Sequence, residues 1–93
     1  MGKYRIEITE KANKDFQKHK KFGNKSILNK IDTIYTELKE HPFTGTGKPE
    51  PLKHDLKGLW SRRISQKDRL IYEVIEEVVT IYVLSAMGHY EDK

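Results

Sequence analysis

Apolar and charged residues alternate through Tyr4-Arg5-Ile6-Glu7-Ile8, which predicts a short strand with one buried face. The period then changes. Thr9 offers a helix N-cap, and Ala12, Phe16 and the stem of Lys20 fall three to four residues apart, predicting a helix from about Glu10 whose other face is mostly lysine. Gly23-Asn24 interrupts it, with Asn24 or Ser26 able to cap a second helix. There Ile27, Leu28, Ile31, Ile34, Tyr35 and Leu38 mark one apolar stripe, and Pro42 and Gly45 bound the end. After a glycine- and proline-broken loop, Leu59 to Ile64, Arg69 to Ile75 and Val78 to Leu84 read as three strands. The turns at Ser65 to Asp68 and at Glu76-Glu77 are short enough to make them antiparallel neighbours. The expected fold is α+β, in β-α-α-β-β-β order: an antiparallel sheet with two N-terminal helices packed on one face and the other face free.

At 93 residues the chain is expected to form one domain, residues 1–93, with no linker or internal repeat. Lysine and arginine total 18 against 14 acidic residues, a net charge of +4, which favours a polyanionic partner without naming it. Cysteine is absent, so neither a disulfide framework nor a thiolate metal site is available, as suits a reducing cytoplasm. The N-terminus is too polar for a signal peptide, and the apolar run from Val78 to Leu84 is too short to span a bilayer. A cytoplasmic protein with no membrane partner is expected.

Candidate chemistry concentrates between residues 43 and 73. Gly45 and Gly47 let backbone approach a ligand, while Pro49 and Pro51 bracket Glu50 and stiffen the segment presenting its carboxylate; an ordinary solvated loop glutamate fits the same pattern. Arg62 and Arg63 point to opposite sides of a strand, so only one can meet a ligand on a given face. If Trp60 and Ile64 are core, Arg63 lies on the open side. With Leu70, Tyr72 and Val74 as core, Arg69, Ile71 and Glu73 join it there. Two guanidinium groups could then converge on one phosphate, although edge arginines also serve to block aggregation. His89 can release a proton near neutral pH and Tyr90 could stack on a base. The spacing of His19, His41, His54 and His89 matches no zinc pattern, so metal-independent chemistry and no cofactor are expected.

Taken together, GKPEPLKH, GLWSRRI, DRLIYEV and the late GHY, in that order, closely resemble the YoeB/Txe family of toxins within the RelE/ParE superfamily of bacterial toxin-antitoxin systems. The resemblance implies a RelE-like, microbial-ribonuclease-type fold, ribosome-dependent cleavage of messenger RNA in the A site, and an acidic antitoxin as partner. It assigns Glu50 as general base, Arg69 as phosphate stabiliser and His89 as general acid, with Lys53, Arg63 and Tyr90 in accessory substrate contacts. Lys11, Lys14, Lys18 and Lys21 are expected to lie on ribosomal RNA. Homodimerisation stays open. Two departures from the pattern are Gly88 before His89 and the three residues Glu91-Asp92-Lys93 after Tyr90. The competing expectations are a ParE-like toxin that poisons DNA gyrase and a non-catalytic RNA-binding module.

Overall fold

The computed structural model describes residues 3–53 and 58–84. Strand β1 (Arg5–Ile8) leads into helices α1 (Glu10–Phe22) and α2 (Lys25–Leu38), followed by β2 (Glu50–Pro51), β3 (Leu59–Arg63), β4 (Arg69–Ile75) and β5 (Val78–Val83). Both helix starts follow from local chemistry. The Thr9 hydroxyl accepts from the Ala12 N–H at 3.1 Å, and Asn24, rather than Ser26, caps α2 by accepting from the Ile27 N–H at 3.1 Å. Such caps satisfy donors that have no partner inside the helix and contribute about 1 kcal/mol each. Between the helices Gly23 turns the chain at φ 73°, a left-handed conformation that other residues adopt at a cost.

The five strands form one sheet in the order β1-β5-β4-β3-β2. Of its four pairings, β3 with β4 and β4 with β5 are antiparallel as expected and β2 with β3 is antiparallel as well, but β1 runs parallel to β5, so the sheet is mixed. The cause is β2. This two-residue strand within a proline-bracketed loop pairs Glu50 with Ser61 and Pro51 with Trp60, and it adds one reversal of chain direction before the meander. With that extra reversal the last strand returns in the same sense as the first.

Both helices cover one face of the sheet. The core there comprises Ala12, Ile31, Ile34, Leu38, Ile64, Leu70, Tyr72, Val79, Ile81 and Leu84. The stripe of α2 lies where its periodicity put it, and α1 follows its own in part, with Ala12 buried and Phe16 packed against this core. Phe16 is only half-buried and Lys20 stays exposed above its ring, while Asp15 and His19 are buried beside Ala12. The opposite face is also less free than expected. Ile71 is 1% exposed and forms a second, small apolar cluster with Val83, against which Leu52, Leu59 and Tyr82 pack. A bulge makes this possible: Ile71 pairs with Val83 but Tyr72 pairs with Ile81, so β5 carries one extra residue and Val83 swings to the Ile71 side.

Candidate active site

The loop that leads to Glu50 is held from below by Arg62. On the helix-facing side of β3, its guanidinium is fully buried and donates from Nη1 to Glu37 Oε1 at 2.7 Å and to the Thr46 carbonyl at 3.2 Å. From Nη2 it donates to the carbonyls of His41 and Thr44 at 3.0 and 2.8 Å. The Tyr72 hydroxyl, 3.4 Å from Arg62 Nε, donates in turn to the Pro42 carbonyl at 2.5 Å. Glu37 closes the network by accepting from the Thr46 N–H at 2.8 Å and the Thr46 hydroxyl at 2.7 Å. One planar fork thus fastens residues 41–46 to α2 and the sheet. Burial alone would raise the Glu37 carboxyl, but the two Thr46 bonds and the Arg62 guanidinium outweigh it and hold the group below its ordinary value. Burial pushes the Tyr72 hydroxyl up.

This arrangement reassigns the two loop glycines. A Cβ on Gly45 (φ 122°) would lie 2.4 Å from Glu37 Oε1, and one on Gly47 (φ 84°) would lie 2.7 Å from the Arg63 carbonyl oxygen. Gly47 also accepts the Arg63 N–H at 2.8 Å. The close approach they permit is therefore to the protein itself, not to a ligand as the sequence suggested.

On the far side of the sheet the register assembles the expected residues. Arg63 sits directly opposite Arg69, and in the next row Glu50, Ser61 and Ile71 lie side by side across β2, β3 and β4. Residues paired this way share a face with Cβ atoms about 5 Å apart. Glu50 and Arg63 are exposed, as is Lys53 two positions beyond β2. Arg69 Nη1 donates to Ser61 Oγ at 3.4 Å, so this guanidinium leans from its own row toward the row of Glu50. Ser61, 1% exposed, is the member that sequence reasoning left without a role, although strand alternation already put it on the face of Arg63. At the opposite end of the face Tyr82 donates to Glu73 Oε1 at 2.7 Å, and that bond, more than the hydroxyl's slight burial, raises it.

His54, His89 and Tyr90 lie outside the described residues. Lys11, Lys14, Lys18 and Lys21 are all exposed on α1, in the helical layer across the sheet from Glu50. Lys11 is engaged there, with its Nζ 2.8 and 2.9 Å from the two carboxylate oxygens of Asp15. Among the described residues no cluster of three acidic, histidine or cysteine side chains is placed to hold a metal ion, and no helix is long and apolar enough to cross a membrane.

Chemically, a carboxylate on a stiff two-residue strand, next to two guanidinium groups on the same face, can accept a proton and hold an anionic oxygen at neighbouring points. By architecture the molecule is an α+β protein of the RelE type, a five-stranded mixed sheet backed by two helices. It superposes on a YoeB/ParE toxin from Agrobacterium tumefaciens with a TM-score of 0.81 at 30% identity, covering 92% of this chain and 99% of that one. A heterotetrameric YoeB–YefM toxin-antitoxin complex from Staphylococcus aureus contains a chain matched at TM-score 0.78 and 30% identity, over 94% of this chain and 98% of that one. Toxin YoeB of Escherichia coli is 43% identical over 67 residues, 72% of this chain and 77% of its own length. The sequence profile of the YoeB-like toxin of bacterial type II toxin-antitoxin systems matches residues 8–90. The chain belongs to that family and is a type II toxin.

Proposed function

We propose that this toxin is an endoribonuclease that cuts messenger RNA in the ribosomal A site, with Glu50 as general base and His89 as general acid. Glu50 takes the proton of a ribose 2′-hydroxyl, whose oxygen attacks the adjacent phosphorus. Arg69, with Arg63 and Lys53, neutralises the charge that builds on the phosphoryl oxygens. His89 protonates the departing 5′-oxygen, and Tyr90 contacts the substrate beside it. The products are a 2′,3′-cyclic phosphate and a 5′-hydroxyl. Support comes above all from the lean of Arg69 toward Ser61, the residue paired with Glu50, because it brings a phosphate clamp beside a proton acceptor.

Acid and base steps each contribute on the order of 10²- to 10⁴-fold, together roughly 5 to 11 kcal/mol, which is modest for a flexible RNA that must also be held in line. The ribosome would supply that alignment, met by the lysine face of α1 in the cytoplasm. An antitoxin partner is expected because the S. aureus relative is found in a toxin-antitoxin complex, and an acidic one would cover the cationic surface.

Primer extension on ribosomes programmed with a defined message tests the roles. Glu50→Gln is expected to cut the rate by at least about 10² while ribosome binding is unchanged. Equal loss of binding and cleavage would make Glu50 structural. Inhibition of DNA supercoiling with translation untouched would place the toxin with gyrase poisons instead.

A further inference from the structure

Two buried polar residues of α1 have no part in that reaction, yet they grip the backbone of one residue at both its N–H and its C=O. Asp15 and His19, 3% and 8% exposed, lie one helical turn apart on the face turned toward the end of β5. Asp15 Oδ2 accepts the Leu84 N–H at 3.0 Å, and His19 Nε2 meets the Leu84 carbonyl in a short hydrogen bond. A carbonyl can only accept, so the proton of His19 resides on Nε2. Ladder pairing has ended by this point: β1 last meets β5 at Ile81 and β4 last meets it at Val83. Leu84, itself 2% exposed, is thus handed from the sheet to the helix. Apolar residues at positions 15 and 19 would extend the core without desolvating a carboxylate and an imidazole. What they could not do is fix both the position and the direction of a backbone group.

We infer that Asp15 and His19 are positioning residues for the general acid: by clamping both hydrogen-bonding groups of Leu84 they set the path along which the chain leaves β5 toward His89. His89 follows Leu84 by only five positions, 84 to 89, a reach of at most roughly 17 Å, so fixing Leu84 limits where the imidazole can be delivered. This inference rests on the proposed role of His89. Neither residue touches RNA; both act through the backbone.

A sulfur substitution separates positioning from general stability. In the reaction the 2′-oxygen to phosphorus bond forms, the phosphorus to 5′-oxygen bond breaks, and the 5′-oxygen takes a proton from the acid. When sulfur replaces the bridging 5′-oxygen, the leaving thiolate is stable enough to depart unprotonated, so a defect confined to the acid disappears. The toxin is assayed on ribosomes programmed with matched oxygen and 5′-sulfur messages. His19→Phe, which keeps a ring but loses the donor, is expected to be at least about tenfold slow on oxygen and within about threefold of the parent on sulfur. His19→Gln, which retains an N–H donor, should recover most of the oxygen rate. Where His19→Phe fails to fold, Asp15→Ala removes the other half of the grip and is scored the same way. Equal loss on both messages overturns the inference if His89→Ala is rescued by sulfur, since the acid then stands and the clamp does not. If His89→Ala is not rescued either, the acid assignment itself falls and the clamp's role falls with it.

Discussion

Arg62 and Arg63 are neighbours in the chain and opposites in the structure. Arg62 is fully buried among four oxygen acceptors and a tyrosine hydroxyl, facing the helices. Arg63 is exposed on the other face, opposite Arg69 and one row from Glu50. The pleat alone separates them, because successive strand side chains point to opposite sides. The same guanidinium chemistry, planar and multidentate, fixes a loop in one case and, in the function proposed above, would meet an anion in the other. Charge count therefore says little about this molecule; which side of β3 a charge occupies says much more.

The sharpest way to break the contrast is to remove the buried member. Arg62→Met fits the volume but leaves Glu37 and three loop carbonyls without their donor, and is expected to destabilise the fold by about 3–5 kcal/mol in urea denaturation. Arg62→Lys should not rescue it, since one ammonium cannot span Glu37 and the carbonyls of His41, Thr44 and Thr46 together. A loss under 1 kcal/mol for either would show that the loop stands without its fork.

Glu37→Gln is the next largest, expected at about 2 kcal/mol near neutral pH. Its pH dependence has a definite sign. Because the folded Glu37 carboxyl is held below its ordinary value of 4.5, its stabilisation is fully present above that value and is lost as pH falls through the lower folded value. The gap between parent and Glu37→Gln should therefore narrow below about pH 4.5. A constant gap down to strongly acidic pH would mean that the carboxylate's charge is not what Arg62 and Thr46 hold.

Thr46→Val probes the outer edge of the same network. It removes the hydroxyl that donates to Glu37 Oε2 at 2.7 Å while leaving the N–H bond in place, and about 1 kcal/mol is expected.

How much of this was legible in the sequence differs by element. The helices were, because Thr9 and Asn24 are capping residues set just before periodic stripes, and the alternation in Leu59 to Ile64 sorted Arg63 to the open side once Trp60 was taken as core. Strand β2 was not: with Pro51 in a two-residue strand, its local pattern is that of a loop, and its pairing exists only through Ser61 and Trp60. Missing it also hid the parallel pairing of β1. Asp15 and His19 were hidden for a related reason. Hydropathy assigns polar residues to solvent, and their true partner, the Leu84 backbone, lies 69 and 65 residues away. Glu37 sits on the polar flank of a clear amphipathic helix, where nothing local distinguishes a buried-arginine partner from a solvated acid. At the candidate site, face alternation already placed Arg63 and Arg69 on one side with Ser61, while the row that sets Glu50 beside Ser61 needed the actual register.

The smallest expected effect on stability sharpens the comparison most. Arg63→Ala should change the unfolding free energy by no more than about 0.5 kcal/mol, because the side chain is exposed and its backbone bond to Gly47 survives the substitution. Cleavage should nonetheless fall by roughly tenfold or more if Arg63 shares the phosphate with Arg69, the scale of one charge-assisted contact made in the transition state. Loss of activity without loss of stability at Arg63, set against loss of stability at Arg62, would separate the two faces of β3 by function. Were Arg63→Ala as active as the parent, Arg69 alone would carry the phosphate, and the pairing of the two arginines across β3 and β4 would be only a consequence of register.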